Sequence, residues 1–473
     1  MKPSITLLLG CLSLGFMQPS AAQNTQLDPT FQPPAILNGT SSGTVHDVVQ
    51  QADGKYVIGG VFRTINGVRA RNLARLNIDG SLDAAFTAAC QANGAVYSLA
   101  LQPNGQVLAA GAFDSLAGAS RRAVGRLLPT GALDATFDAN LPAPAAPASL
   151  AVSQVALLPG GNVLVLSPSA PSYGSSGGVT PPTGLRQLSS TTGQPLPGWQ
   201  AAIHALCFAV QSDGKVLTGG GGNSYILMHL LARLLPTGSL DPGFTPLTTY
   251  FTSTTAQLEV DANDNVYRLG TWNSNVGSGL SGPGIGQNDW GTLQAQVFRR
   301  QPNGRFLVAG TPAALGSPLT TRLLPSGQQD ATYQAANGPR AVAASDQVLR
   351  FLVQPNGALM LAGSFTQAGT TPVHGLVRML DGSVLSKANA QAEGGTSIWP
   401  VPAEAVVHVA LAAPAQPQQV QLLDGLGRVV LAQPVAAGST SLTLNIAALP
   451  VGVYALRVQY AQGGAVVRRV VRQ

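Results

Sequence analysis

The stretch VHDVVQQADGKYVIGGVF, residues 45–62, decides the fold. Apolar side chains precede the pair Asp53-Gly54, and β-branched and aromatic side chains follow it. An Asp-Gly pair tolerates the positive φ angles of a tight turn, so this pattern predicts a β-hairpin. Closely similar stretches are VYSLALQPNGQVLAAGAF at residues 96–113 and IHALCFAVQSDGKVLTGG at residues 203–220. The chain is therefore expected to consist of repeated β units.

A second turn and a closing motif complete each unit. In the first unit these are NLARLNIDGSLDAAF, residues 72–86, which end in Leu-Asp-x-x-Phe. Weaker copies of the unit occupy residues 151–199, 256–290, 293–333 and 348–385. Equivalent turns recur about every 50 residues, a period typical of stacked supersecondary units. Units of this length predict four-stranded propeller blades rather than the shorter rungs of a β-solenoid.

The two ends of the repeat array are complementary. Residues 27–31, LDPTF, form a closing motif ahead of the first complete unit, and the last unit continues past Arg378 without one. An N-terminal segment that completes the last blade would leave no sheet edge open, so a closed, all-β propeller of seven blades is predicted. Six blades are the alternative. Unit five lacks the Arg-Leu strand of the other units, and only 39 residues separate Asn265 from Gly304.

The N-terminus has the features of an export signal. Lys2 precedes an apolar run at residues 5–17, and small residues lead to Ala22, so a signal peptide is predicted at residues 1–22. The apolar run is too short and too interrupted by glycine for a membrane-spanning helix. A competing lipoprotein interpretation uses Cys11, but it leaves only about five apolar residues ahead of the cysteine. Three Cys in 473 residues exclude a disulfide scaffold.

Three segments, QQADGKYVIGGVF, LARLNIDGSLDAAF and LARLLPTGSLDPGF, resemble the delta-60 repeats of large secreted bacterial propeller proteins. The resemblance covers residues 27–385 and is specific in three of the units. That family has no single known activity, so the resemblance implies a fold rather than a ligand or a reaction. Residues 23–385 are expected to form the propeller, and the small, polar residues 386–396 a linker.

A different β pattern begins after the linker. Seven short strands are predicted within residues 397–473, which indicates a small immunoglobulin-like β-sandwich. This segment resembles the C-terminal sorting domain of the type IX secretion system, an export signal that is read at the outer membrane. The matching positions are Trp399, Pro400, Pro402, Asp424, Gly427, Gly452, Tyr454, Arg468 and Arg469. The resemblance implies that the type IX machinery is a partner and that the protein is exported across both membranes to the cell surface or the medium.

Few charged residues are available for chemistry, since they make up only 10% of the chain. Half of the 20 acids occupy turn or closing positions of the repeat, which leaves few uncommitted acids, such as Asp47. The five His lack metal-ligand spacing, and the segment Asp261-x-Asn263-x-Asn265 lies in hairpin phase and lacks the later ligands of a calcium loop. No metal or other cofactor is predicted.

The net positive charge of the chain has a structural explanation. Arg75 and its equivalents recur at one position of the repeat, and in four units the closing Asp follows eight residues later, as Asp83 does. This spacing indicates a structural pair, or an Arg that bonds loop carbonyls within each blade. No basic patch with interleaved aromatic residues is present, so nucleic-acid binding is not predicted.

Departures from the repeat mark the predicted ligand face. Units three and five carry insertions, Ser167–Gly184 and Asn273–Asp289, between their second and third strands, and Tyr173, Trp272 and Trp290 accompany them. Equal phase places both insertions on one face, where loops on a rigid scaffold commonly bind ligands. A non-catalytic secreted or surface propeller is predicted, in a structural role or binding carbohydrate or a cell-surface protein. The alternative is a secreted hydrolase or lyase acting on a polysaccharide at the axial mouth.

Overall fold

The described part of the protein is built mainly of β-strands. The structure is a computed structural model that describes residues 23–141, 151–167, 184–199, 201, 205–220, 228–245, 247–249, 254–271, 278–283, 285, 293–311, 314–335, 337–354, 357–381, 396–411, 417–424, 429–436, 438–460 and 465–473. The predicted signal peptide and nearly all of the predicted linker lie outside these ranges. Within them, no helix is long and apolar enough to cross a membrane.

The first three units follow the N-terminal strand β1 (Gln23–Leu27). Unit one contains β2 (Ile36–Asn38), β3 (Ser41–Ser42), β4 (Thr44–Gln50), β5 (Tyr56–Val61), β6 (Thr64–Ile65), β7 (Val68–Arg69), β8 (Leu73–Leu76) and helix α1 (Ala84–Ala89). Unit two contains β9 (Val96–Leu101), β10 (Val107–Gly111), β11 (Ser115–Leu116), β12 (Ala119–Ser120) and β13 (Val124–Leu127). Unit three contains β14 (Gln154–Leu157), β15 (Val163–Leu166) and β16 (Leu185–Leu188).

Units four to seven continue in the same order. Unit four contains β17 (Cys207–Val210), β18 (Val216–Gly219), β19 (Met228–Leu234) and β20 (Leu247–Thr249). Unit five contains β21 (Thr254–Val260), β22 (Val266–Thr271) and β23 (Ser278–Ser281). Unit six contains β24 (Gln294–Arg300), β25 (Phe306–Thr311), β26 (Thr320–Leu323) and β27 (Tyr333–Gln334). Unit seven contains β28 (Pro339–Arg340), β29 (Val348–Val353), β30 (Leu359–Gly363), β31 (Gln367–Ala368), β32 (Thr371–Pro372) and β33 (Leu376–Asp381).

Each unit forms a sheet in which the three main strands are antiparallel neighbours. In the described residues, five units have main sheets of three strands, unit four adds β20, and unit seven adds β1 and β27. The prediction of four strands in every blade is therefore wrong. In unit one the closing motif forms a single bridge, Leu76 with Leu82, because the Asp83 side chain then accepts the Phe86 N–H and begins helix α1.

The first turn of each unit is the predicted hairpin turn. Gly54 has a φ of 86° and donates its N–H to the carbonyl three residues earlier at 2.9 Å. In unit five Asp264 has a φ of 60° and donates in the same way to the Asp261 carbonyl at 2.9 Å. The hairpin predicted at Asp261 is confirmed. The phase of the repeat predicts Asp264-Asn265 as its turn pair, but the turn lies one residue earlier, at Asn263-Asp264.

Unit five has a third strand that its sequence conceals. Strand β23 pairs antiparallel with β22, and its Leu280 lies opposite Leu269 and is only 1% exposed. The prediction that Asn273–Asp289 is an insertion is thus wrong in part, and unit five has a third strand although it lacks the Arg-Leu sequence of the other units. A single buried leucine among Gly and Ser residues anchors this strand, so neither β propensity nor the Arg-Leu signature reveals it.

The first strands of the units contact one another in cyclic order. Strand β4 contacts β9, β9 contacts β14, β17 contacts β21, β21 contacts β24, β24 contacts β29, and β29 contacts β4. Strands β14 and β17 are joined by the Gln154 side chain, which accepts the Phe208 N–H at 3.1 Å and donates to the Phe208 carbonyl at 2.8 Å. Each first strand therefore neighbours that of the next unit, and the seventh neighbours the first.

The N-terminal strand joins the sheet of the last unit, as predicted. Strand β1 pairs antiparallel with β33 and parallel with β27. The Asp28 N–H donates to the Arg378 carbonyl at 2.9 Å, and Phe31 is buried. The closing motif at residues 27–31 therefore completes unit seven.

Units one, two and seven carry a short accessory hairpin between their second and third main strands. The hairpins are β6-β7, β11-β12 and β31-β32, and in units one and seven strands β2 and β28 pair with them. These hairpins could not be predicted, because strands of two residues give no periodic signal. The same position of unit three holds Ser167–Gly184, of which residues 168–183 lie outside the described ranges.

The C-terminal segment forms two sheets around one core. Its strands are β34 (Ser397–Trp399), β35 (Val406–Ala410), β36 (Pro417–Leu423), β37 (Val429–Pro434), β38 (Ser441–Asn445), β39 (Gly452–Tyr460) and β40 (Ala465–Arg472). The sheet orders are β34-β35-β38 and β37-β36-β39-β40. Val407 and Val409 of one sheet share a buried cluster with Leu422 and Leu456 of the other. The predicted number of seven short strands is confirmed.

Candidate functional site

A charged pair above an aromatic ring closes most units. In unit two Arg126 Nε donates to Asp134 Oδ2 at 2.8 Å, and both side chains are buried. The guanidinium lies over the Phe137 ring, 4.6 Å from its centroid. Burial opposes ionisation of Asp134, but hydrogen bonds from Thr136 and Arg126 outweigh it and hold the pKa of Asp134 below its ordinary value. The carboxylate therefore stays ionised and paired.

The same arrangement recurs in five units. The N···O distances are 2.8 Å for Arg75–Asp83, Arg126–Asp134, Arg233–Asp241 and Arg322–Asp330, and 2.7 Å for Arg378–Asp28. The rings beneath these guanidinium groups are Phe86, Phe137, Phe244, Tyr333 and Phe31, in the same order. The predicted structural pair is confirmed, and Arg378 forms the same pair with Asp28 of the N-terminal closing motif. We call this arrangement of Arg, Asp and aromatic ring the closing joint.

The arginine of the joint also ties its unit to the next one. Arg75 Nη1 donates to the Pro129 carbonyl of unit two at 3.0 Å, and Arg378 Nη1 donates to the Ile78 carbonyl of unit one at 2.7 Å. In unit three Trp199 Nε1 donates to a carbonyl of unit four at 2.9 Å. The predicted carbonyl acceptors within each blade are therefore wrong, because Asp occupies the Nε edge of the guanidinium and leaves Nη1 facing the neighbouring turn.

A second type of contact between neighbouring units joins the first strands, and it was not predicted from the sequence. We call it the inner tie. The side chains of Asp47, Ser98 and Gln257 each accept a backbone N–H of the next unit's first strand, at 2.8, 3.2 and 2.8 Å. Gln154 accepts the corresponding N–H of unit four. All four residues stand seven positions before the positive-φ residue of their turn. That constant phase is the signal that would have revealed them.

Asp47, the acid considered for the enzymatic alternative, belongs to this inner tie. Its side chain is 4% exposed and lies 2.9 Å from Arg350 Nε of unit seven. It also accepts the N–H groups of Val48 and Leu99 at 2.8 Å each. Burial raises the pKa of Asp47, against the influence of Arg350 and the two N–H groups. Asp47 therefore links unit one to both of its neighbours.

A cavity of about 400 Å³ opens at the turn-side ends of the first strands of units five, six and seven. Four charged residues, Glu259, Asp261, Arg299 and Arg300, line it. Arg299 Nη1 lies 2.6 Å from Glu259 Oε1, and Arg300 Nη1 lies 3.5 Å from Asp261 Oδ2. Burial raises the pKa of Glu259, although Arg299 and the Arg300 N–H favour its ionised form. We call this space the inner-strand cavity.

A smaller cavity of about 350 Å³ lies between units one and two. It is lined by the exposed side chains of Arg63 and Arg71 and by Asn38, Asn72 and Asn93, among others. It lies beside the accessory hairpin of unit one, because Phe62 and Arg63 connect the second main strand β5 to β6.

Neither a metal-binding cluster nor a reactive thiol is found among the described residues. Across those ranges no three side chains of His, Cys, Asp or Glu are placed to hold a metal ion. Cys90 and Cys207 are buried, and burial raises the pKa of each thiol to about 12. Neither thiol is therefore a nucleophile at neutral pH.

The three aromatic residues predicted for the ligand face, Tyr173, Trp272 and Trp290, lie outside the described residues. Their predicted role therefore stays a prediction.

The predicted sorting positions lie mainly at the edges of the C-terminal sheets. The exposed Trp399 ring stacks on His408 with centroids 5.7 Å apart. Tyr454 Oη donates to the Pro450 carbonyl at 2.7 Å, and Arg468 Nε donates to the Thr396 carbonyl at 3.0 Å. Arg469 is exposed on β40, Pro400 and Pro402 follow β34, Asp424 follows β36 and Gly452 begins β39, while Gly427 lies outside the described ranges.

Comparisons with protein families agree with both halves of the chain. Residues 51–86, 102–137 and 211–244 match a family described as a β-propeller domain of unknown function (DUF5122). Residues 397–473 match the secretion system C-terminal sorting domain. The chain therefore carries β-propeller repeats followed by a type IX sorting domain, and it is exported to the cell surface or secreted. No curated protein matches the chain.

Several solved structures are similar over much of the chain. One of them is PorZ, described as an essential bacterial surface component of the type-IX secretion system of Porphyromonas gingivalis. It is 16% identical to this chain, the match covers 90% of this chain and 51% of PorZ, and the TM-score is 0.32. The extracellular domain of a putative hybrid two component system from B. thetaiotaomicron is 10% identical, with 94% and 59% covered and a TM-score of 0.39. A catalytically inactive virginiamycin B lyase from Staphylococcus aureus is 10% identical, with 75% and 99% covered and a TM-score of 0.42.

The chain spans about half of PorZ and three fifths of the B. thetaiotaomicron domain. All three TM-scores lie below 0.5.

Proposed function

We propose that the protein is an exported, non-catalytic binding propeller. Residues 1–22 are its signal peptide, 23–385 a closed ring of seven blades, 386–396 a linker and 397–473 an immunoglobulin-like sorting domain. The cyclic contacts among the seven first strands support the ring, as does the pairing of β1 with β33. The third strand of unit five favours seven blades over six, since every unit then has three main strands.

The observation that carries the non-catalytic role is the engagement of the acids in structural bonds. Five closing Asp residues hold the arginines of the joints, and Asp47 holds two N–H groups and an arginine. Glu259 accepts the Arg300 N–H at 2.8 Å as well as the Arg299 guanidinium. An acid or base catalyst must exchange a proton with substrate, and carboxylates held by several donors are poorly placed for that.

The proposed ligand face is the one that carries the accessory hairpins. Loops between the second and third strands emerge there from rigid sheets, which is where scaffolds commonly present binding residues. Tyr173 lies in the insertion of unit three, and Trp272 directly follows β22. Aromatic rings offer a large contact area to sugar rings or to apolar protein side chains. A carbohydrate or a cell-surface protein is the proposed ligand, with Trp290 as a further contact.

A binding screen of the full exported chain on immobilised polysaccharides tests this function. The variants Tyr173→Ala and Trp272→Ala should weaken binding, while Tyr97→Ala, an aromatic residue on a first strand, should not. The same samples are assayed for released sugar. Polysaccharide turnover that survives Trp272→Ala, and that Asp47→Asn abolishes without lowering the melting temperature, would establish the hydrolase or lyase instead.

Export has its own test. Deleting residues 397–473 should leave the protein inside the outer membrane, because the type IX machinery then lacks its signal. Fusing the same residues to an unrelated exported passenger should send that passenger to the surface or the medium. Unchanged surface and medium levels after the deletion would contradict the proposed role of this domain in this protein.

A further inference from the structure

Two sets of arginine side chains differ sharply in exposure. The joint arginines, Arg75, Arg126, Arg233, Arg322 and Arg378, have side-chain exposures of 14%, 6%, 23%, 0% and 8%. Arg299, Arg300 and Arg350 have exposures of 44%, 33% and 41%. All eight are paired with carboxylates, but each side chain of the second set is at least 33% exposed, against at most 23% for the joint arginines. A structural role alone leaves that difference unexplained.

The repeat does not require charge at the inner-strand cavity. The position two residues after the inner tie is Val49, Ala100, Ala156, Ala209 and Leu352 in five units. In units five and six it is Glu259 and Arg299. Five units fold with small or apolar side chains at this position, so folding of the repeat does not require the ion pair of Glu259 with Arg299.

Buried carboxylates hold these arginines in place. Glu259, Asp261 and Asp47 have side-chain exposures of 12%, 9% and 4%, so they lie behind the guanidinium groups that they hold. The Arg300 guanidinium is fixed further by the Tyr267 ring, 5.3 Å away. The carboxylate oxygens are occupied by these arginines and by backbone N–H groups. The cavity therefore presents fixed guanidinium N–H donors beside carboxylates that are already paired.

We propose that the inner-strand cavity binds an oxyanion, a carboxylate or phosphate group carried by a small ligand, through Arg299 and Arg300. A fixed guanidinium offers a planar fork of donors that matches the paired oxygens of such groups. The volume of about 400 Å³ lies within the range of ligand sites, about 300–1,000 Å³.

This site is separate from the proposed ligand face. Its lining residues lie near the hairpin turns that connect first and second strands. The accessory hairpins and Ser167–Gly184 follow the ends of second strands, on the side away from those turns. A failure of either proposal therefore leaves the other standing.

Isothermal titration of the full exported chain tests the proposal with three probes: inorganic phosphate, sodium glucuronate and glucose. At least one of the two anions should bind saturably and more weakly at high salt, and glucose should not bind. Binding of phosphate alone assigns the phosphate group, and binding of glucuronate alone assigns the carboxylate. Saturable binding of neither anion, or equal binding of glucose, would overturn the proposal.

Variants locate the binding. Arg299→Gln should weaken it by about tenfold or more, the loss expected for one charged hydrogen bond. Because Arg299→Gln leaves Glu259 without its guanidinium partner, the double variant Glu259→Gln/Arg299→Gln tests the same loss with the charge balance restored. Arg71→Gln, in the smaller cavity, is the matched control and should change affinity less than twofold. Equal weakening by Arg71→Gln, or wild-type affinity in the double variant, contradicts the assignment.

Discussion

The junction between units seven and one and the junction between units one and two use the same chemistry on different chain connections. Arg75 meets Asp83 eight residues later, whereas Arg378 meets Asp28, which precedes it by 350 residues. In both junctions an aromatic ring lies under the guanidinium, and Nη1 donates to a carbonyl of the following unit. The closing joint is therefore a connection between neighbouring units, and it can be assembled from either end of the chain.

The two junctions differ in how many charged side chains bind the closing aspartate. In unit one Lys55 Nζ also reaches Asp83, at 2.7 Å. The equivalent residue in unit seven is Ala358, which has no charge to offer. There Tyr56 Oη of unit one accepts from Arg378 Nη1 at 3.1 Å. The seam between the chain ends thus depends more heavily on its single arginine.

The strongest test of the comparison removes the buried ring from each junction. Phe31→Ala should lower the free energy of unfolding by about 3–5 kcal/mol, as expected for a buried aromatic side chain. Phe86→Ala, the matched change in unit one, should cost a similar amount, since Phe86 is also buried. Urea denaturation measures both. A cost below about 1 kcal/mol for Phe31→Ala, with the full cost for Phe86→Ala, would mean that the N-terminal segment contributes little to the stability of the fold.

Removing the arginines should separate the two junctions. Arg378→Gln leaves the buried Asp28 carboxylate with donors from Thr30 only, and should cost about 3 kcal/mol. Arg75→Gln should cost less, about 1–2 kcal/mol, because Lys55 still pairs with Asp83. Thermal unfolding of both variants gives the order. Equal losses of stability, or a larger loss for Arg75→Gln, would contradict the greater dependence of the junction between the chain ends on Arg378.

A smaller effect is expected from pH. Although burial opposes it, hydrogen bonds from Lys55, Phe86 and Arg75 lower the pKa of Asp83 to about 2, well below its unfolded value of about 3.9. The ionised group therefore stabilises the folded state above the unfolded pKa, and this stability is lost as the pH falls from about 4 to about 2. The stability difference between wild type and Asp83→Asn should be constant above about pH 5 and shrink through that window. A difference independent of pH would refute the lowered pKa.

Much of the fold could be predicted because its signals repeat. The turn chemistry at Asp53-Gly54 returns in each unit, and the orphan motif of Asp28 and Phe31 indicated the closure of the last sheet. Strand β23 could not be predicted, since Leu280 is the one apolar residue in that strand. Repetition reveals what every unit shares and conceals what a single unit does with atypical residues.

The inner tie and the inner-strand cavity were missed for a related reason. Asp47 acts on an N–H 52 residues away, and Glu259 meets Arg299 across 40 residues, so neither contact leaves a local pattern. A comparison of equivalent positions would have exposed both. Polar side chains that accept hydrogen bonds recur seven residues before the positive-φ residue of the turn in four units, and two residues later only units five and six carry a charge. Distances between units, however, follow only from the three-dimensional arrangement of the strands.

The closure of the chain ends is tested most directly by a cross-link between them. Gln26 and Leu380 are direct partners in the antiparallel pairing of β1 with β33, and such partners have Cα atoms about 4.5–5.5 Å apart, within disulfide range. Gln26→Cys/Leu380→Cys should oxidise to an intramolecular disulfide in the folded protein, detected as a loss of two thiols by mass spectrometry. The single variants should keep their thiols, and Cys90 and Cys207 are buried. Two alkylatable thiols in the folded double variant would contradict a ring closed by the N-terminal strand.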